Sequence, residues 1–190
     1  MDSRSQAIAA DRARKVKLVG LDVDGVLTDG GIYLGATEGG ERIEMKRFEI
    51  TDGLGIRLLK DAGIQVAIIT GRESSAVALR AEELGVEECH QDATAAKLPI
   101  MEALLKRLGF GWEEAAFMGD DLADLPVLRR VGFPAAVANA VSEVRAEAAW
   151  ISTRRGGDGA VRELAESLLA ARGEWARRVE EYVKGREATA

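Results

Sequence analysis

The sequence predicts an α/β fold, a Rossmann-like three-layer sandwich built on a central parallel sheet, with a β-hairpin protruding from it and no inserted second domain. Three observations predict it. Short β-branched or apolar runs alternate with amphipathic stretches of ten to fifteen residues, the pattern of successive βαβ units. Between residues 30 and 50 the alternation is interrupted by two short apolar runs around the turn-rich segment ATEGG, which reads as a hairpin. The chain has 190 residues, 47% of them hydrophobic, enough for one well-packed core and short for two.

Residues 1–14 read as a flexible polar leader, residues 15–172 as the folded domain, and residues 173–190 as a C-terminal helix and tail. KVKLVGL (15–21) is a buried strand because β-branched and apolar residues dominate it. After the hairpin, GIRLLKDAG is a helix closed by Gly63, IQVAIIT a strand, and SAVALRAEELG a helix closed by Gly85. VEECHQ follows as a short strand, then a helix from about Pro99 to Leu108 with Gly109 behind it, and AAFM as a strand. ADLPVLRRVG is a helix interrupted early by Pro126. FPAAVA and AWIST are strands, AVSEVRAEA and GAVRELAESLLAARG helices, and Trp175, Val179 and Tyr182 stand at helical spacing on a terminal helix that docks.

Charge and composition remove several function classes. Lys and Arg number 26 against 32 Asp and Glu, a net −6 with the two signs interspersed, so there is no basic face for nucleic acid. One cysteine, Cys89, and one histidine, His90, exclude a disulfide framework and zinc sites of the Cys/His type. No run approaches the roughly 20 apolar residues of a membrane span, and the leader lacks the apolar centre of a secretory signal; a cytoplasmic protein is the expectation. DGLGI has two glycines but no third at the required spacing, so it is not a dinucleotide site.

In an open parallel sheet ligands bind at the carboxyl ends of the strands. The polar residues fall there: Asp22 and Asp24 after the first strand, Thr70 after the second, Lys97 ahead of the next helix, Asp120 and Asp121 after the fourth strand. Asp22 and Asp24 are two apart and point the same way while the chain is extended, and Gly25 lets the backbone turn at once. Converging carboxylates repel unless a cation lies between them, and oxygen ligands beside a phosphate suit magnesium. Lys97 and Thr70 suit phosphoryl oxygens. The set supports phosphoryl transfer through an aspartyl-phosphate on Asp22, with Asp24 as acid toward the leaving alkoxide and base toward water.

DVDGV, the threonine of IITGR, Lys97 and GDDLAD match in order the four motifs of the haloacid dehalogenase-like phosphatases. More closely, DVDGVLTDGGIYLG, KRFEITDGLGI, GIQVAIITGRESSAVALRAEELGV, GDDLADLPVLRRVGFPAAVANA and GGDGAVREL are similar to the 3-deoxy-D-manno-octulosonate 8-phosphate phosphatase family, over roughly residues 15–170. The resemblance implies a capless, magnesium-dependent hydrolase of a sugar-acid phosphate in lipopolysaccharide precursor synthesis. It implies Asp22, the Asp24 backbone carbonyl and Asp120 as metal ligands, supported by Asp121 and Asp124. Thr70 and Gly71 are then at the phosphoryl group, and Arg72 and Arg80 at the sugar-acid portion, the competing reading of these arginines being surface charge.

Only 47 residues lie between Asp22 and Thr70 and 26 between Thr70 and Lys97, too few for a cap domain. The family covers the open crevice by tetramerising through the hairpin, with the Gly-rich segment of one subunit reaching a neighbour's site. A homotetramer is expected here, because Ile32, Leu34, Ile43, Met45 and Phe48 give the hairpin more apolar surface than a small domain hides. RRGGDG also reads as a plain flexible loop. The chain departs from the family in a longer hairpin turn, in Asp92 where a glycine is usual, and in Asn139 and Val141. Two other functions stay open: a phosphatase for a nine-carbon sugar-acid phosphate such as N-acylneuraminate 9-phosphate, and a non-catalytic assembly module.

Overall fold

The structure, a computed structural model, describes residues 7–187. Six strands form one parallel sheet: β1 (Leu18–Leu21), β4 (Gln65–Thr70), β5 (Glu88–Gln91), β6 (Ala115–Gly119), β7 (Phe133–Ala136) and β8 (Trp150–Ile151). Their spatial order is β5-β4-β1-β6-β7-β8, with Leu18 in register with Gln65 on one side and Ala115 on the other. The order reverses direction at β1, so the chain leaves the sheet there at a switch point, and Asp22 is the next residue. β1 is buried along its whole length, as are β4 after its first residue and all of β6. That double-sided burial is why these strands read as continuous apolar runs instead of alternating ones.

Among the described residues eight α-helices accompany the sheet: α1 (Ala10–Lys15), α2 (Ile50–Asp61), α3 (Ser75–Glu83), α4 (Lys97–Leu108), α5 (Leu125–Leu128), α6 (Ser142–Glu147), α7 (Ala160–Ala171) and α8 (Trp175–Glu187). The helices on the two faces and the sheet enclose a core in which Trp150, Phe117 and Phe133 are the largest buried side chains. The remaining strands, β2 (Tyr33–Ala36) and β3 (Arg42–Met45), pair antiparallel as a separate hairpin, with Tyr33 opposite Met45 and Leu34 opposite Glu44. A single bridge between Thr28 and Phe48 closes its base.

Several boundaries differ from the sequence reading. Residues 10–14 of the expected flexible leader belong to α1, because Ala13 is fully buried and docks the turn. α2 begins at Ile50, not Gly55: the Glu49 side chain caps it, accepting from the Thr51 N–H at 3.3 Å. Its two glycines are paid for by close packing, since a Cβ on Gly55 would stand 3.0 Å from the Arg162 Cα of α7. α4 begins at Lys97, with Pro99 inside the first turn, where no N–H is needed. In α8, Trp175 and Tyr182 pack on the core, and Val179 is exposed.

Candidate active site at the carboxyl ends of the strands

The loops after β1 and β6 and the first turn of α4 meet at one point. Asp22, 5% exposed, is tied to the neighbouring strand by its N–H, which donates to the Met118 carbonyl at 3.1 Å. Lys97, also buried, lies between two carboxylates, its Nζ 2.6 Å from Asp22 Oδ1 and 2.6 Å from Asp124 Oδ1. The second oxygen of Asp124 accepts from the Asp120 N–H at 2.9 Å and the Asp121 N–H at 3.3 Å. Asp124 therefore fastens the β6 loop to the lysine.

Asp120 completes the cluster: one carboxylate oxygen from each of Asp22, Asp120 and Asp124 lies within 4.8 Å of the others. Gly25, at φ +96°, makes this possible, since a Cβ there would come within 2.0 Å of Asp120 Oδ2. Two buried carboxylates, Asp22 and Asp124, and the half-buried Asp120 face one ammonium, so the cluster carries excess negative charge. Burial pushes the Asp22 carboxyl above the ordinary range and Asp124 repels it further, with Lys97 pulling back; burial followed by the charges of Asp22 and Asp124 does the same to Asp120. Burial alone would lower the Lys97 ammonium, but Asp22 and Asp124 hold it above its usual value.

A hard divalent cation fits these residues. Every donor is a carboxylate oxygen, and Asp120 Oδ1 is buried without a hydrogen-bond partner. Of the three acids, Asp124 has both oxygens committed to Lys97 and to backbone N–H groups, which leaves Asp22 and Asp120 as the free donors.

Asp24 is not in this cluster. Its carboxylate pairs with Lys46, and Arg72 Nε stands 3.6 Å from its second oxygen. Thr70 ends β4 buried, and at Gly71 an added Cβ would meet Ala95 Cβ at 2.8 Å, which shows how closely the loop after β5 approaches. That loop is shaped by Asp92, whose Oδ1 accepts from the Thr94 N–H at 2.9 Å and the Thr94 hydroxyl at 2.8 Å.

Two expected site residues are used elsewhere. Asp121 is exposed, and its Oδ1 accepts from the Leu122 N–H at 2.7 Å, capping the following turn. Arg80 pairs with Glu83 at 2.8 Å, donates to the Glu49 carbonyl at 3.3 Å and lies 5.8 Å from the centre of the Phe48 ring, holding the start of α2 to α3. The Gly-rich segment packs on the catalytic loop of its own chain: the Gly157 N–H donates to the Val26 carbonyl at 3.0 Å, and a Cβ on Gly156 would stand 1.7 Å from the Gly25 carbonyl oxygen. Asn139 fixes it, its Oδ1 accepting from the Gly156 N–H at 2.9 Å.

Sequence reading placed position 46 among the crevice positions bearing on substrate choice, but it anticipated neither Glu44 nor the pairing of Lys46 with Asp24. The signal was present in β3 and the residue after it, where RIEMK alternates: Glu44 and Lys46 turn inward, whereas Ile43 and Met45 are 40% and 60% exposed.

The comparisons with known proteins agree with this geometry. The family of haloacid dehalogenase-like hydrolases matches residues 52–132. The 3-deoxy-D-manno-octulosonate 8-phosphate phosphatase KdsC of Escherichia coli K12 is 43% identical over 162 residues, 85% of this chain and 84% of that protein. That of Yersinia pestis is 42% identical over 160 residues, 84% of this chain and 83% of that one. Among solved structures, the 3-deoxy-D-manno-octulosonate 8-phosphate phosphatase of Moraxella catarrhalis, in complex with magnesium, phosphate and KDO, superimposes with a TM-score of 0.84 at 40% identity, covering 91% of this chain and 97% of that one. A cobalt-bound Haemophilus influenzae phosphatase gives 0.78 at 38% identity, over 86% and 93%. The chain belongs to the haloacid dehalogenase-like hydrolase family and is one of its phosphoric monoester hydrolases. Its relatives at this level of identity are the phosphatases of 3-deoxy-D-manno-octulosonate 8-phosphate.

Proposed function

We propose that this protein hydrolyses 3-deoxy-D-manno-octulosonate 8-phosphate to the free sugar acid and phosphate, in the cytoplasm, as a step of lipopolysaccharide precursor synthesis. The observation that carries the reading is the cluster itself: Lys97 held 2.6 Å from both Asp22 and Asp124, beside the unpartnered oxygen of Asp120. The substrate follows from the relatives, whose names state it at 42–43% identity over more than four-fifths of both chains.

Asp22 is the nucleophile, its free oxygen attacking phosphorus to give an aspartyl-phosphate as the sugar hydroxyl departs. Asp24 gives a proton to the departing alkoxide and takes one from the water that cleaves the acyl phosphate. Lys97, Thr70 and the Gly71 backbone hold the phosphoryl oxygens, and Arg72, half-exposed beside Asp24, takes the carboxylate of the sugar acid. Asp22, Asp120 and the Asp24 backbone carbonyl would hold magnesium, which would supply neutralisation of the charge on the phosphoryl oxygens. The close approach of Gly25 to Asp120 supports that carbonyl as a ligand. Asp124 supports Lys97 and the Asp120 loop.

The chain acts as a homotetramer assembled through the hairpin. Tyr33, Leu34, Ile43 and Met45 are 40–64% exposed on β2 and β3, an apolar surface of the kind that marks an interface. Light scattering of wild type and Leu34→Glu tests it: a tetramer reduced to smaller species supports the reading, and a wild-type monomer removes it.

Phosphate release measured with and without magnesium tests the chemistry, using octulosonate 8-phosphate, neuraminate 9-phosphate and simple sugar phosphates, with Asp22→Asn as control. A kcat/KM for the octulosonate ester more than about tenfold above the rest, roughly 1.4 kcal/mol, is expected, with Asp22→Asn inactive. Preference for the nine-carbon ester would replace the substrate, and equal inertness of wild type and Asp22→Asn would replace the reaction.

A further inference from the structure

Asp24 is held in an unusual way. The chain turns left-handed at Gly25 directly behind it, and among the described residues its carboxylate has two cationic neighbours and no backbone N–H partner. Arg72 Nε is 3.6 Å away, beyond hydrogen-bond distance, and its side chain is 43% exposed. Lys46 is the hydrogen-bond partner, and its side chain is completely shielded from solvent. Lys46 in turn stands 3.8 Å from Glu44 Oε1, and Glu44 Oε2 is 3.4 Å from Arg72 Nη2. Asp24, Lys46, Glu44 and Arg72 thus close a ring of alternating charge, with Glu44 on β3 of the hairpin and Lys46 directly after it.

Such a ring is neutral overall, and the exposed pairs within it are worth little; in the Lys46–Asp24 pair the lysine is fully shielded and the aspartate 22% exposed, so the ammonium has no water to take the place of its carboxylate partners. An aspartate two bonds from the main chain, with no other hydrogen bond, takes the rotamer its one fixed partner selects. That partner is placed by strand alternation: because Ile43 and Met45 face outward on β3, Glu44 and Lys46 must face the site.

We propose that Lys46 is a positioning residue which holds the Asp24 carboxylate in the direction needed to protonate the leaving oxygen, so that an ordered hairpin is a condition for acid catalysis and not only for assembly. The inference rests on the role proposed above for Asp24, and the experiment separates the two.

An alkoxide is too basic to depart without a proton, whereas 4-nitrophenolate departs unassisted. The measurement is therefore kcat/KM, which covers steps through leaving-group departure, on octulosonate 8-phosphate, phenyl phosphate and 4-nitrophenyl phosphate. General acid catalysis contributes about 10²–10⁴-fold, and a misdirected acid forfeits part of it. Lys46→Met is expected to lose on the order of tenfold to a hundredfold on the sugar ester, less on phenyl phosphate and under about threefold on the nitrophenyl ester, with Lys46→Arg recovering most of the loss. Equal losses on all three esters, or none, would overturn the proposal, since a merely structural role moves them together. Asp24→Asn must show the same graded pattern; if it does not, the acid role of Asp24 fails, and if it does while Lys46→Met does not, only the positioning role fails. Should Lys46→Met not fold, Glu44→Gln, which releases the lysine from its second carboxylate, makes the same comparison with a smaller graded loss expected, and a flat pattern counts against the proposal.

Discussion

Replacing Lys97 by methionine removes the one cation inside a cluster of three carboxylates while keeping most of the side-chain volume. The ammonium makes two charge-assisted contacts of 2.6 Å, and both partners are nearly shielded from water, at 8% and 1% side-chain exposure. Each such bond is worth about 1.5–3 kcal/mol, and breaking a buried pair from one side costs about 3–5 kcal/mol because the other charge is left uncompensated. For a chain of this size that corresponds to a fall in Tm of about 6–20 °C. Thermal and urea unfolding in EDTA at about pH 8 measure it, with Lys106→Met, on the exposed face of α4, expected within about 0.5 kcal/mol of wild type. The deficit should shrink at about pH 5.5, where the stranded carboxylates take up protons, and shrink on adding magnesium, which at a hundred times its Kd stabilises by about 2.7 kcal/mol. A loss below about 1 kcal/mol in EDTA, the value of an exposed pair, with no response to either pH or magnesium, would refute the reasoning.

The remaining predictions concern the metal, a buried helix cap and the Gly-rich segment. Asp22 and Asp120 have raised carboxyl pKa values in the metal-free fold, so stability is greatest below the ordinary carboxylate range and lost as pH rises through the folded values; magnesium reverses this, and its ΔTm is expected to be larger at about pH 8 than at about pH 6 by differential scanning fluorimetry. Asp52, 1% exposed on α2, accepts from the Arg162 N–H at 2.7 Å at the start of α7, and burial raises its carboxyl to about 6. Its ionisation therefore costs stability as pH climbs through about 6, and Asp52→Asn, which keeps an acceptor, should gain about 2–3 kcal/mol relative to wild type between about pH 4 and pH 8; a pH-independent difference in urea midpoints would contradict this. Gly156→Ala would drive a methyl into the Gly25 carbonyl oxygen at 1.7 Å, so kcat should fall at least tenfold and stability by about 1–3 kcal/mol, and wild-type values in both assays would contradict this.

Much of the site was legible because the chemistry is written at strand ends. That Asp22, Lys97 and Asp120 converge could be anticipated from their places at strand ends taken as a series, since the carboxyl ends of adjacent parallel strands meet at one crevice. Asp121 and Arg80 are harder to read for a shared reason. An acid beside a glycine-rich turn and an arginine on an amphipathic helix each have a local use, capping Leu122 and clamping Glu49 and Phe48, that sequence spacing does not distinguish from a site role. The pairing of Lys46 with Asp24 was not anticipated because the two are 22 residues apart, and the alternation of RIEMK shows which face Lys46 shares without showing what that face meets.

The sequence by itself determined the layer architecture, the order of the elements and the residues available for chemistry, because hydrophobic periodicity and glycine stops act over a few residues and need no partner. What the tertiary structure decided is which charges meet. Lys97 lies between Asp22 and Asp124 instead of reaching solvent, Asp24 turns to Lys46 instead of joining the acid cluster, and the Gly-rich segment rests on the loop of its own chain. Those choices depend on distances between residues 22 to 131 positions apart, fixed only when the sheet order puts β1 between β4 and β6 and the desolvation of each ion makes one pairing far better than the rest.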